Sequence, residues 1–254
     1  MNTNLTAVNI SNYLSQILDP KKMPDYGING LQVDRTGAIT KVALGVDISL
    51  ELIERAVSTN CDLIITHHGL FWGEPLAVVG SHYTRIKKLI DNNIGLISFH
   101  LPLDAHEEFG NNSVILRNLG LNELIPFGQY KGYNIGWASR SREPLDIEFI
   151  KQRLGLIDES KCRVFGRNRG PFHLIAAVSG GGGNHYDDAV SLNCDLFITG
   201  EFSHKLYHPA IETSTSILFG GHYQTETFGI KSLGVHISQK FGIETLFFDI
   251  PTTI

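Results

Sequence analysis

The chain has 254 residues, 42% of them hydrophobic, so it is long enough to bury one large core or two smaller ones. Its 21 lysine and arginine residues against 26 aspartate and glutamate residues give a net charge of −5, which excludes a global basic field that would recruit nucleic acid. Every apolar run is shorter than the roughly 18 residues of a membrane-spanning helix.

The start of the chain lacks the pattern of a signal peptide, and the three cysteines form no CxxC pair, so we expect a cytoplasmic protein without a membrane partner. After an amphipathic first helix, short β-branched runs alternate with helical stretches, which predicts an α/β fold of parallel βαβ units. In the first half we expect strands near 41–46, 62–66 and 95–100, and helices over 49–60, 82–93 and 111–119. In the second half we expect strands near 173–178, 195–199, 216–220 and 244–249, and helices over 184–193 and 229–241.

The second half of the chain repeats the first. Residues 42–66 read VALGVDISLELIERAVSTNCDLIIT and align without a gap with residues 175–199, IAAVSGGGGNHYDDAVSLNCDLFIT. The matched Cys61 and Cys194 stand just before a strand, which favours buried core residues over redox or zinc ligands. We predict two related lobes, residues 1–128 and 129–254. The second lobe includes a strand-helix-strand bridge over about 129–170, whose ownership the sequence leaves open.

Histidines and carboxylates gather at the ends of equivalent predicted strands. In open α/β sheets ligands bind at the carboxyl ends of the strands. The predicted position of these side chains and their chemistry therefore both indicate a metal site between the lobes. The adjacent His67 and His68 would point to opposite sides of an extended backbone and could serve one metal each. The alternative is that each histidine only packs or caps. The candidate residues are His67, His68, His100, Asp104, Glu201, His222 and Glu226.

A mixed set of nitrogen and carboxylate ligands favours zinc, manganese or iron over calcium, which prefers oxygen ligands alone. Both His100 with Asp104 and His222 with Glu226 have the spacing His-x-x-x-carboxylate. This pairing nominates His100 as a ligand or as a residue that orients one, with plain packing as the third possibility.

Four separated motifs resemble those of the GTP cyclohydrolase I type 2 homologues, the NIF-three-like proteins. They occur in the order typical of that family and read THHGLFW, FHLPLDAHEEFGNN, ITGEFSHKLYH and GGHYQTETFG. The resemblance implies two-lobed α/β proteins that assemble into toroidal homohexamers. It also implies a dinuclear metal site. The implied ligands are His67, His68, Asp104, His222 and Glu226. One departure is Tyr223, where some relatives have a second histidine.

Three further features have two interpretations each. Glu201, which with His100 is our candidate for catalysis, is either a proton shuttle or substrate contact, or an acid at a helix N-terminus. The amides of Gly180 to Gly183 could cradle a phosphate, although a flexible turn between strand and helix is the commoner outcome. Basic side chains on the predicted helix over 82–93 could meet a phosphate or form a solvated face. These are Arg85, Lys87 and Lys88.

Two metal ions would support hydrolysis, because they activate water and stabilise developing negative charge. The family name implies opening of the guanine ring of GTP with release of formate, but a phosphodiesterase, a nucleotidase or an amidase would fit the same features. We therefore expect a dinuclear-metal-dependent hydrolase acting on GTP or another nucleotide. The alternatives are a metal-handling protein and a ring-shaped scaffold without turnover, and nucleic acid is not an expected partner.

Overall fold

The computed structural model describes residues 5–158 and 162–252. The strands are β1 (Gly30–Val33), β2 (Lys41–Asp47), β3 (Leu63–His68), β4 (Gly95–Ser98), β5 (Leu124–Tyr130), β6 (Tyr133–Leu145), β7 (Arg163–Phe165), β8 (Phe172–Val178), β9 (Leu196–Thr199), β10 (Ser216–Phe219) and β11 (Glu244–Phe247). The α-helices are α1 (Ala7–Leu18), α2 (Leu50–Ser58), α3 (Gly80–Asp91), α4 (Leu101–Ala105), α5 (Asn111–Asn118), α6 (Ile147–Leu154), α7 (Tyr186–Ser191), α8 (Tyr207–Glu212) and α9 (His222–Phe241). Short 3₁₀ turns span Gly182–His185 and His204–Leu206. None of the helices in the described ranges is long and apolar enough to cross a bilayer.

The strands form two sheets, each with parallel strands at its centre and at least one antiparallel edge, which confirms the predicted α/β class. In the first sheet, ordered β1-β4-β3-β2-β11, all neighbours are parallel except β1 with β4. Its buried core joins apolar side chains of β2, β3 and β4 to those of α2 and α3. The helix α2 starts where the Ser49 side chain accepts a hydrogen bond from the backbone N–H of Leu52, an ordinary N-cap.

The second sheet, ordered β5-β6-β8-β9-β10-β7, contains the predicted bridge. Its strand, helix and strand are β6, α6 and β7, and both strands pair with this sheet: β6 antiparallel to β8, and β7 antiparallel to β10. The strand β5 forms an antiparallel pair with β6 along nearly its whole length. Both strands of the bridge are thus strands of the second sheet.

The internal repeat is preserved in the strand registers. Val42 lies opposite Leu63 in the first sheet, and the matched residues Ile175 and Leu196 lie opposite each other in the second. The third parallel strand of each sheet, β4 in the first and β10 in the second, does not keep the same sequence offset between the two copies. Thr66 lies opposite Ser98, and Thr199 lies opposite Phe219. Counting onward from these pairs, His100 is equivalent to Gly221, one residue before His222.

The chain divides into two compact units. One comprises the residues up to Leu103 with Ile230–Ile250, and the other comprises Asp104–Gly229 with the last residues from Pro251. The segment Ile230–Ile250 belongs to the first unit because its strand β11 lies parallel to β2 in the first sheet. The segment that follows Asp104 belongs to the second unit because α5 packs on β6 and β8, and β5 pairs with β6. The two lobes that the internal repeat suggests, residues 1–128 and 129–254, stay a prediction.

Cys61 and Cys194, the matched cysteines, are buried core residues, as expected. They are 5% and 1% exposed. Burial raises the pKa of the Cys194 thiol to about 12, so this side chain stays a protonated apolar group at neutral pH.

Candidate metal centre

Three histidines of the first unit come together beyond the carboxyl ends of β3 and β4. His67 and His68 are the last residues of β3, and His100 follows β4. His67 is fully buried, whereas His68 and His100 are partly exposed. The atoms through which these three side chains could bind a metal all lie within 4.8 Å of one another. This group of histidines could therefore hold a metal ion.

Each of the three imidazoles has its Nδ1 within hydrogen-bond distance of an oxygen acceptor. His67 Nδ1 lies 3.1 Å from the carbonyl oxygen of Phe99, and His68 Nδ1 lies 2.8 Å from Asp47 Oδ1. His100 Nδ1 lies 2.8 Å from Asp25 Oδ1. A proton on Nδ1 donated to such an acceptor leaves the lone pair on Nε2, the arrangement typical of histidines that bind metals.

Asp25 is a buried carboxylate that the sequence reasoning missed. Its side chain is 3% exposed and accepts hydrogen bonds from the backbone N–H groups of Gly27 and Leu101, at 3.0 Å each, and from the Asn29 side chain at 2.9 Å. Burial alone would raise the pKa of Asp25, but the hydrogen bond and charge of His100, with the other donors, lower it to about 2. The carboxylate is therefore ionised at neutral pH and fixes the ring of His100.

The second unit brings His222 and Glu226 together on one face of a helix. The predicted helix over 229–241 begins earlier than expected, at His222, so the His-x-x-x-carboxylate spacing is one helical turn and not a strand end followed by a loop. His222 Nε2 lies 3.1 Å from Glu226 Oε2. Glu226 is 3% exposed, which holds its carboxylate close to the imidazole.

Glu201 contacts His222 from the other side of the ring. Its Oε1 lies 2.6 Å from His222 Nδ1, so His222 lies between two carboxylates. Burial lowers the pKa of His222, but the hydrogen bonds and charges of Glu226 and then Glu201 outweigh that effect and raise the pKa to about 9. Glu201 lies before the 3₁₀ turn His204–Leu206 and not in the first turn of an α-helix. Glu201 thus contacts a histidine and does not cap an α-helix.

Asp104 is held within the second unit by a buried polar network. Its Oδ1 accepts hydrogen bonds from Asn111 Nδ2 at 2.8 Å and from Ser179 Oγ at 3.0 Å. The neighbouring Asn112 accepts from the backbone N–H of Ser179 at 2.7 Å. Both asparagines are fully buried, and neither is among the site residues predicted from the sequence. The adjacent amides at the end of FHLPLDAHEEFGNN were the available sign, because buried amides need fixed partners.

Gly180 leaves room for the pair on α9. It has φ +55°, and a Cβ built there would collide with the Glu226 carboxylate and lie 3.1 Å from His222 Nε2. The amides of Gly180 and Gly182 already donate to Thr225 Oγ1 and to the carbonyl oxygen of Ser179. They are thus not available to cradle a phosphate. Gly180 thus provides space for two side chains whose imidazole nitrogen and carboxylate oxygen suit a divalent metal.

Tyr223 and the basic residues of α3 are the remaining positions that the sequence singled out. Tyr223 is 3% exposed. The three basic residues of α3 differ in what they contact. Lys87 pairs with Asp91 at 2.6 Å and Lys88 pairs with Glu54, whereas Arg85 lines a cavity beside the histidines.

Comparison with known proteins places the chain in a family. A model of the family Duf34/NIF3 (NGG1p interacting factor 3) matches residues 5–253. The GTP cyclohydrolase 1 type 2 homolog of Deinococcus radiodurans is 38% identical over 240 residues, covering 94% of this chain and 91% of the relative. The homolog of Archaeoglobus fulgidus with the same name is 39% identical over 242 residues, covering 95% and 97%.

The fold is shared with solved structures. The crystal structure of TTHA1606 from Thermus thermophilus superposes with a TM-score of 0.86 at 35% identity, covering 96% of this chain and 98% of that one. A structure described as protein ybgI, of unknown function, gives a TM-score of 0.88 at 30% identity and covers 98% and 100%. These similarities extend over nearly the full length of the described chain.

Proposed function

The chain belongs to the Duf34/NIF3 family, and from that membership and the side-chain geometry we propose that it is a metal-dependent hydrolase acting on a nucleotide. GTP is the first candidate substrate, because the curated relatives carry the name GTP cyclohydrolase 1 type 2 homolog. The observation that carries the proposal is the set of histidines whose Nδ1 atoms are bonded to oxygen acceptors, which leaves Nε2 for a metal.

We assign two divalent ions to each chain. In the first unit His67 and His68 are the proposed ligands, and in the second unit Asp104, His222 and Glu226. Zinc, manganese or iron suits these nitrogen and carboxylate donors. When bound, such ions activate a water molecule and stabilise negative charge that develops on the substrate.

The chain's own residues supply orientation and proton handling. Asp47 and Asp25 hold His68 and His100 with Nε2 directed away from their carboxylates. Glu201, 56% exposed in its side chain, touches Nδ1 of His222 and can exchange a proton with solvent. We therefore propose Glu201 and His100 for proton handling.

Turnover tests this proposal directly. The metal-loaded full chain is incubated with GTP, other nucleoside triphosphates and bis(4-nitrophenyl) phosphate, and formate, phosphate and nitrophenolate are measured. We expect product from at least one substrate, and loss of that product in His67→Ala. A protein that binds two metals and converts none of these compounds contradicts the hydrolase.

A metal-handling protein is the second candidate. In that role Asp47 and Glu201, the half-exposed carboxylates beside the imidazoles, orient His68 and His222 as ligands, and neither acts as a general base. Rapid transfer of bound metal to a recipient apo-protein would favour this role, and inert sites would exclude it.

We also propose that the chain forms a cytoplasmic homohexamer, as the family resemblance implies. Light scattering after size-exclusion chromatography should then give six times the chain mass of 28.1 kDa. A monomer at micromolar concentration would contradict this assembly.

A further inference from the structure

A cavity of about 720 Å³ lies in the first unit beside the histidine group. His68 and His100 line part of it, and Trp72 and Leu76 provide apolar surface. The helix α3 contributes His82 and Arg85. A cavity of this size, with apolar walls and a few polar groups, is typical of sites for small molecules.

Arg85 differs from the other two basic residues of its helix. Lys87 and Lys88 are each paired with a carboxylate, at Asp91 and Glu54. Within the described ranges, no ion pair is formed by Arg85, and its buried Nε has no hydrogen-bond acceptor. The helix thus uses its lysines for surface pairs and leaves the arginine facing the cavity.

The cost of that arrangement points to a ligand. A buried donor without an acceptor costs about 1–3 kcal/mol, and a guanidinium stays charged at any physiological pH. His82 presents a second buried ring nitrogen, Nε2, that has no acceptor among the described residues. Its ring packs edge-on against Phe71 at 5.2 Å, which fixes its orientation. An anion with several oxygens would satisfy both groups.

The carboxylate of the cavity wall is hydrogen-bonded to a histidine. Asp47 is the carboxylate among the described lining residues, and its Oδ1 lies 2.8 Å from His68 Nδ1. The part of the wall formed by α3 contributes the positive charge of Arg85 and no carboxylate among the described lining residues. A phosphate group offers acceptor oxygens in the fork geometry that a guanidinium matches.

We propose that Arg85 binds a phosphate group of the ligand that occupies this cavity, with His82 as a second donor. This subsite rests on the proposed function insofar as the ligand is taken to be a phosphorylated substrate of the hydrolase. Its position next to His68 and His100 would bring the rest of that molecule to the histidine group.

Calorimetric titration of inorganic phosphate into the chelator-treated full chain tests the subsite without metal or turnover. The variant is Arg85→Gln, and the matched control is Lys87→Gln, two residues along the same helix. We expect the control to bind as the wild type does and Arg85→Gln to bind about tenfold more weakly, equivalent to about 1.4 kcal/mol. Equal binding by Arg85→Gln, or no binding by the wild type, overturns the proposal.

Arg85→Lys covers the case in which the glutamine variant does not fold. It keeps the charge but loses the fork geometry, so we expect phosphate binding weaker than in wild type by about threefold or more. Binding equal to wild type would also overturn the subsite. Turnover measured on the same preparations separates the two claims, because an inactive protein with Arg85-dependent phosphate binding contradicts only the hydrolase.

Discussion

The Asp25 carboxylate lies 2.8 Å from Nδ1 of His100, joining a loop that precedes β1 to the histidine that follows β4. Asp25 is more buried than its partner, with 3% of its side chain exposed against 22% for His100. A buried carboxylate that accepts four hydrogen bonds holds the loop and the imidazole in one arrangement.

Replacing Asp25 with asparagine should lower the free energy of unfolding at pH 7. The folded pKa of about 2 lies below the ordinary value of 3.8, so the ionised carboxylate contributes about 2 kcal/mol. That contribution is present above pH 3.8 and is lost as the pH falls through about 2. Urea unfolding at several pH values measures it. Asp34→Asn, at an exposed position, is the control and should change stability little.

Glu226→Gln and Glu201→Gln should separate metal binding from turnover. Glu226 is the proposed ligand, so its amide variant should lose metal. Glu201 touches His222 from the Nδ1 side, so its variant should keep metal and lower turnover by about 10–100-fold. Metal content and rate are measured on the same samples. Loss of metal in both variants would show that Glu201 is itself a ligand.

In metal-free protein, His222 should titrate with a pKa of about 9, because Glu226 and Glu201 stabilise the imidazolium. The raised pKa means that this contribution to stability is full below pH 6.5 and is lost as the pH rises through about 9. Histidine ring NMR of chelator-treated protein measures the titration. Glu201→Gln should move the pKa toward 6.5, and an unchanged value would contradict the role given to Glu201.

Gly180→Ala should disturb the His222–Glu226 pair through its added Cβ. Its matched control is Gly155→Ala, where φ is +68° and a Cβ would meet nothing within 4 Å. The control should lose about 1 kcal/mol from backbone strain alone. Gly180→Ala, at φ +55°, should lose more and should bind less metal, because the carboxylate must move. Equal losses of stability with unchanged metal content would contradict this account.

The regular parts of the fold were predictable because hydrophobic periodicity and the internal repeat carry them. The registers of β2 with β3 and of β8 with β9 match residue for residue across the repeat. The edge strands β1 and β5 were missed. Each pairs antiparallel at a sheet edge and has partly exposed side chains, so neither shows the continuous apolar run of a central strand.

The site was only partly predictable. His67 and His68 end one strand that the pattern located and His100 follows another, and their possible ligand atoms lie within 4.8 Å of one another. Asp25 was not predictable, because loop geometry and not periodicity brings it to His100. The early start of α9 at His222 was missed because β-branched threonines and the surrounding glycines make GGHYQTETFG a poor helix by propensity. Packing within the second unit overrides that preference.

The central claim is that these side chains bind metal, and elemental mass spectrometry on protein purified without chelator tests it most directly. Wild type is measured beside His67→Ala and Glu226→Ala, with His173→Ala as a control histidine whose Nδ1 faces a backbone carbonyl at 3.4 Å. We predict about two metal ions per chain in wild type and control, as a two-metal hydrolase requires, and loss of metal in both site variants. Substoichiometric metal that is unchanged in the variants would contradict the account.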